Sequence, residues 1–187
     1  RKTCRNWIII RDEEERIREH YELLLVNFVN TAKPQADVNR QTNIILEEIL
    51  TEGHSVDTLN YHFFLYFIKV IKYMSEHSYE YVIRTCKDAI AYMDGKEFAR
   101  QAYYRMFLLQ IISASIQMKF FEEGELAVQR YTNYVYKNSI SWFKVKELNV
   151  LLSFHTSRYE RANEIIEEIT GKTSFKGQAP ADQERWT

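Results

Sequence analysis

Three short stretches of this chain carry one and the same apolar stripe. Tyr79, Val82, Cys86 and Ala89 place an aromatic residue ahead of apolar or small residues three, seven and ten positions on. Phe121, Gly124, Val128 and Tyr131 repeat the pattern, and Tyr159, Ala162, Ile166 and Ile169 repeat it again. That spacing puts four side chains on one face of an α-helix. The copies lie about forty residues apart, which is the length of a helical hairpin rather than of a single helix. Helix-stop residues recur at nearly the same interval, at Gly53, Gly95, Asn138 and Gly171. Glycine and asparagine tolerate the left-handed backbone that ends a helix. One hairpin cannot bury both of its apolar faces, so repeated hairpins are expected to stack and share a core.

Composition agrees with helices. The chain has 187 residues, 45% of them hydrophobic, with 13 tyrosines and 11 phenylalanines but only 5 glycines and 2 prolines. A β-rich fold needs more turn residues. The net charge of −1 supplies no general attraction to nucleic acid or anionic lipid. Cys4 and Cys86 form no CxxC pair, so neither a disulfide framework nor a zinc site is expected, and a reducing, cytoplasmic setting follows. The apolar runs around His62–Ile71 and Met106–Ile116 are interrupted by polar residues and too short to span a bilayer. The chain begins at Arg1 without Met and reads as an excised fragment of a longer one or a processed product.

Read in order, residues 1–34 form an N-terminal helical segment. Trp7–Ile10 fits a short strand or the tail of a helix, with helix favoured, and Asp12–Glu15 fits a helix N-terminus. Ile17, Tyr21, Leu24, Leu25 and Phe28 should face inward, and Pro34 should end the element. The repeats are placed at 35–171. Their expected helices run Asp37–Glu52, Asp57–Glu76, Ser78–Asp94, Lys96–Lys119, Glu122–Lys137, Ser139–His155 and Ser157–Thr170. Val38, Ile45 and Ile49 should face inward on the first, Phe63, Tyr66, Phe67, Val70 and Met74 on the second, and Phe143, Val150 and Phe154 on the sixth. Ser157 and Glu160 have the spacing of a capping box. Residues 172–187 read as a loop leading to a further helix at Asp182–Trp186.

The segment Tyr159-Glu-Arg-Ala162, followed by Ile166 and Ile169, resembles the second helix of a tetratricopeptide (TPR) repeat. Tyr79-Glu-Tyr-Val82 with Cys86 and Ala89 is similar to the same motif, as is Phe121-Glu-Glu-Gly124 with Val128 and Tyr131. The preceding helices keep apolar pairs at Val70/Met74, Ile112/Ile116 and Val150/Phe154. The likeness covers about Asp57 to Gly171, and Phe120–Thr170 also resembles bacterial TPR-like proteins. It implies an all-α, right-handed α–α superhelix, a solenoid of antiparallel helix pairs. It also implies that the long first helix of each pair lines the concave face.

No phosphate-loop, dinucleotide, zincin, nucleophile-elbow or EF-hand pattern is present, so no enzyme activity and no cofactor are expected. Among His20, His54, His62, His77 and His155 no two stand three or four residues apart, so no metal site is expected. Cys86 occupies a stripe position and reads as a small buried hydrophobe. The acidic runs read as solvated faces, and the aromatics as core rather than stacking platforms for bases.

One asymmetry points to a partner. Basic residues outnumber acidic ones on the long helices, and the reverse holds on the short ones. If the long helices line a groove, that groove is basic. Lys69, Lys72, Tyr104, Arg105, Lys144 and Lys146 are then the candidate partner-binding residues, with Tyr104 as an exposed aromatic contact. The expected role is a non-catalytic interaction scaffold taking a protein or peptide, acidic in character, with no nucleic-acid or membrane partner. A ligand- or peptide-sensing receptor domain of a bacterial regulator is the alternative, and an upstream DNA-binding domain would favour it. Nothing in the sequence fixes the oligomeric state.

Overall fold

Three corners of the chain share one backbone geometry. His77, Lys119 and Ser157 take left-handed φ values of 54°, 60° and 58°. After each, the next residue donates its N–H to the carbonyl five positions back. Ser78 donates to Tyr73 at 2.8 Å, Phe120 to Ser115 at 2.9 Å and Arg158 to Ser153 at 2.8 Å. The donors then adopt φ/ψ of −89°/62°, −87°/62° and −92°/63° and open the following helix. This is a Schellman ending run directly into a new helix. The corners are spaced as the stripe is, so backbone and side chains repeat together.

The structure, a computed structural model, describes residues 2–29, 35–51, 56–96 and 101–171, with side chains from Asn6 onward. Among the described residues eight helices are formed: α1 (Lys2–Val29), α2 (Gln35–Thr51), α3 (Leu59–Ser75), α4 (Tyr79–Met93), α5 (Gln101–Met118), α6 (Phe121–Thr132), α7 (Ile140–His155) and α8 (Tyr159–Thr170). No strand occurs among the described residues. The described residues are all-helical in their regular structure, with neighbouring helices packed on one another. Two compact units divide at Tyr103/Tyr104.

In the first unit α1 packs on α2 and α3, α2 on α3, and α3 on α4. Ile17, Tyr21 and Leu24 recur at helical spacing on α1 and are buried. The Tyr21 ring meets Phe67 edge-on at 5.7 Å. Val38, Ile45 and Ile49 are buried from α2. The Thr58 hydroxyl accepts the Tyr61 N–H at 3.3 Å, capping α3, and donates to the Glu14 carboxylate of α1. Val82, Cys86 and Ala89 of α4 are fully buried.

In the second unit α6 packs on α7 and α7 on α8. Gly124 is the tight point. A Cβ there would stand 3.0 Å from Leu152 Cδ2 and 3.3 Å from Ser115 Cβ, so α6 approaches α5 and α7 closely. Trp142, Phe143, Val150, Ala162, Ile165 and Ile169 form the core of the last hairpin, with Val135 and Ile166 packed against it.

The repeated frame is buried at its second and fourth positions in all three copies, namely Val82, Gly124 and Ala162, and Ala89, Tyr131 and Ile169. The leading rings differ in surroundings. Tyr79 bonds His77 Nδ1 at 3.1 Å, Phe121 stacks on His155 at 6.1 Å, and Tyr159 stands exposed beside Phe154 at 5.8 Å.

Several expectations are corrected. Trp7–Ile10 is helical, as favoured, but no helix starts at Asp12–Glu15: both stretches lie inside α1, which runs unbroken through them. The carboxylates there meet arginines one turn on, Glu13 with Arg16 at 2.8 Å and Glu15 with Arg18 at 2.6 Å, rather than a helix dipole. Leu25, Phe28, Tyr66 and Met74 are half-buried, and Phe154 is 46% exposed. Lys96 lies outside α5, and α6 ends at Thr132, five residues short of Lys137. Asn138 is left-handed, at φ 65°, but sits just ahead of Ser139, the N-cap of α7. Ser157 makes no capping box: it is the left-handed corner residue, and the N-cap of α8 is Arg158, which has no side-chain cap bond. Gly95 is left-handed at φ 79°, whereas Gly171 is right-handed at −70°. Pro34, Glu52, Gly53, His54 and residues 172–187 lie outside the described residues.

Candidate partner-binding site

Lys69 and Lys72 lie on α3 in the first unit; Tyr104 and Arg105 on α5 and Lys144 and Lys146 on α7 lie in the second. Most of these groups already have protein partners. Lys72 Nζ meets Glu76 at 2.6 Å, one turn on. Lys69 Nζ stands 5.6 Å from the Tyr66 ring. Lys144 pairs with Glu147 at 3.1 Å. The Arg105 guanidinium donates to the Tyr134 carbonyl at 2.9 Å, fastening the start of α5 to the chain leaving α6. Tyr104 is a correction: it is 8% exposed, stacked on Tyr134 at 5.3 Å and 11°. A ring covered on its face offers no contact area to a partner.

Lys146 has a different setting. It lines a cleft of about 400 Å³ between α6, α7 and α8. Val128, Trp142 and Val145 contribute apolar surface, and Gln129, Thr132, Asn133 and Asn149 add polar groups. Arg161 reaches the cleft from α8. The helical frame explains the assembly. Gln129 and Thr132 flank the buried Val128 and Tyr131, and Lys146 and Asn149 lie one turn apart on α7. Lys146 Nζ is held by Glu168 at 2.6 Å and lies 5.2 Å from the Trp142 ring. Arg161 is exposed and, among the described residues, has no carboxylate within ion-pair distance.

Each amide can donate and accept, which suits a peptide main chain. Arg161 supplies a planar, permanently charged fork matched to a carboxylate. Sequence reading included Lys146 but missed Arg161, Asn149, Gln129 and Asn133. The available signal was Asn149, an amide set between the buried Leu148 and Val150.

The first unit holds a smaller cleft, about 300 Å³, lined by Arg11, Glu14, Glu15, Arg18, Asn60, Phe64 and Tyr103. Its polar groups largely satisfy one another: Arg18 meets Glu15 at 2.6 Å, Tyr103 donates to Asn60 Oδ1 at 2.8 Å, and Glu14 accepts from Thr58.

A titratable cluster lies at the open end of the α3/α4 hairpin. Tyr92 donates to the Asp57 carboxylate, His62 Nε2 is 3.2 Å from it, and Lys96 Nζ is 3.9 Å away. The His62 and Tyr92 rings lie 4.2 Å apart, and Lys96 sits 3.9 Å over Tyr92. The Tyr92 hydroxyl, and then Lys96, hold the Asp57 carboxyl below its usual range. Burial pushes His62 below the ordinary histidine value, against the pull of Asp57. The cluster joins the residue preceding α3 to the end of α4 and reads as a latch.

Among the described residues no group of histidines, cysteines and carboxylates could hold a metal ion, and no helix is long and apolar enough to cross a membrane. Cys86 is fully buried, and burial pushes its thiol far up. Comparison of the chain with protein-family models, with curated proteins and with solved structures gives no match.

Proposed function

We propose that this chain is a non-catalytic interaction module, a TPR-like stack of helical hairpins working in a reducing cytoplasmic setting, that takes an acidic peptide segment of a partner protein. The observation that carries this is the α6/α7/α8 cleft, where Arg161, with no ion-pair partner among the described residues, lines the same wall as amides and an apolar floor. The resemblance puts partners in a concave groove, which the excess of basic residues on the long helices would make basic. The cleft supplies a more local docking point that keeps Lys146 from the predicted set and adds Arg161. The repeated corners at His77, Lys119 and Ser157 support stacking as a right-handed superhelix.

The test is a titration of short acidic peptides, with neutral and basic peptides of equal length as controls, read by calorimetry at two salt concentrations. Acidic peptides should bind, more weakly as salt rises. Arg161→Glu should weaken binding about tenfold, a loss of about 1.4 kcal/mol, with unchanged melting, because Arg161 is exposed. Equal affinity for basic peptides, or full affinity in Arg161→Glu, would overturn the proposal.

A further inference from the structure

We propose that the outer stripe of α7, formed by Ile140, Lys144, Glu147 and Leu151, is a two-fold interface on which a second copy of this chain docks through its own α7, antiparallel. Ile140 is 88% and Leu151 42% exposed, so two large aliphatic side chains stand open on the same helix face as the Lys144–Glu147 pair. The four residues follow one another at spacings of four, three and four, which keeps them on one helix face.

That spacing is symmetric, and so is the chemistry: apolar, cation, anion, apolar. In an antiparallel pair related by a two-fold axis midway between Lys144 and Glu147, Ile140 lies opposite the second copy's Leu151. Lys144 then lies opposite the second copy's Glu147. Each contact occurs twice, as an isologous interface requires. Lys144 and Glu147 are already 3.1 Å apart within the helix, so docking converts an isolated pair into a four-charge square. Phe154 and Tyr159, neighbours at 5.8 Å, extend the apolar edge beyond Leu151.

A further hairpin of the same kind is the rival occupant, and earlier hairpins show what such a neighbour asks for. Counting back from the corner residues, Lys144 corresponds to Met106 and Phe64, and Glu147 to Leu109 and Phe67. There the centre of the stripe is apolar. On α7 it is an ion pair, with apolar residues kept at the flanks. Charge complementarity to itself, rather than to an apolar seam, therefore selects a second copy. One helix pair is at the small end of stable interfaces, so the dimer should be weak and concentration-dependent.

Sedimentation velocity over a concentration series tests this on the full chain. The unmodified chain should pass from monomer to dimer. Ile140→Glu should weaken the dimer at least about tenfold without changing its circular dichroism, because Ile140 is exposed and an acid suits the first turn of α7. Lys144→Glu alone and Glu147→Lys alone should each be monomeric, since like charges then face one another. Mixed together, they should form a heterodimer, because every facing pair becomes opposite in charge. A chain still monomeric at about 1 mM, a dimer indifferent to Ile140→Glu, or a mixture that does not associate would each overturn the proposal. A monomer whose α7 stripe is instead protected from exchange only by an added protein would assign the face to a different partner and reject the second copy.

Discussion

In the α3/α4 hairpin, the face of the first helix that runs through Phe64, Phe67 and Ile71 is packed, with Phe67 and Ile71 fully covered. In the α7/α8 hairpin the corresponding positions are Lys144, Glu147 and Leu151, and the face is open. The two hairpins share a corner, to within a few degrees at each backbone angle. They also share the buried positions Val82/Ala162 and Ala89/Ile169. What holds a hairpin closed is thus separate from what its outer face meets. The inner stripe repeats because every hairpin needs it, and the outer stripe varies because each has a different neighbour. The open ends differ too. The first is fastened by Asp57, His62, Tyr92 and Lys96, the last by Lys146 and Glu168 beside Trp142.

The largest expected effect separates the two faces. Phe67→Ala removes a buried ring from the first unit and should cost about 3–5 kcal/mol. Glu147→Ala, at the equivalent position, removes one exposed pair and should change stability by less than about 0.5 kcal/mol. Urea unfolding of both variants measures the contrast. Comparable losses at the two positions would break the distinction between a packed and an open face.

The inner stripe was legible in the sequence because a helical period is local. Val82, Ala162 and Ile169 are fully buried, as their spacing predicts. The corners were not legible. A left-handed residue is expected to be glycine, and here it is His77, Lys119 or Ser157. The packing of the two helices outweighs the local preference. The burial of Tyr104 was also out of reach, since its cover is Tyr134, brought back by the turn after α6. The cleft at Arg161 needs three helices to form, and no spacing within one of them announces it. Lys146 was found for its charge, and the amides beside it were missed because amides carry no pattern of their own.

A middle-sized effect tests whether the shared corner is strained in both hairpins. A non-glycine residue in this region is disfavoured by roughly 1–2 kcal/mol. Glycine there gives back about 0.4–1 kcal/mol through a freer unfolded chain. Lys119→Gly and Ser157→Gly should each raise stability by about 0.5–1 kcal/mol, the difference of those terms. His77→Gly should gain less, because it also removes the bond from His77 to Tyr79. Differential melting of the three variants gives the ranking. Destabilisation by Ser157→Gly would mean that the corner depends on its side chain rather than on its backbone.

The smallest effect concerns the two open ends and follows from pH. His62 is held below its ordinary pKa, mainly by burial, so the folded protein binds its proton less readily than the unfolded chain does. Its contribution is fully present above about pH 6.5 and is lost as pH falls from there through the lowered folded value. Asp57 is depressed as well, with the Tyr92 hydroxyl as the main cause, so its contribution is present above about pH 4 and lost below. Between pH 7 and 5, then, only the histidine end of the latch titrates. The groups facing His62 are Asp57, which favours its protonation, Lys69 and Lys96, which oppose it, and the Tyr92 ring. The Lys146–Glu168 fastening of the last hairpin contains no histidine. His62→Phe keeps a ring against Tyr92 and removes the titration. Melting temperature measured from pH 7 to 5 should fall more steeply in the unmodified chain than in His62→Phe. Parallel slopes would show that protonation of His62 does not loosen the α3/α4 end.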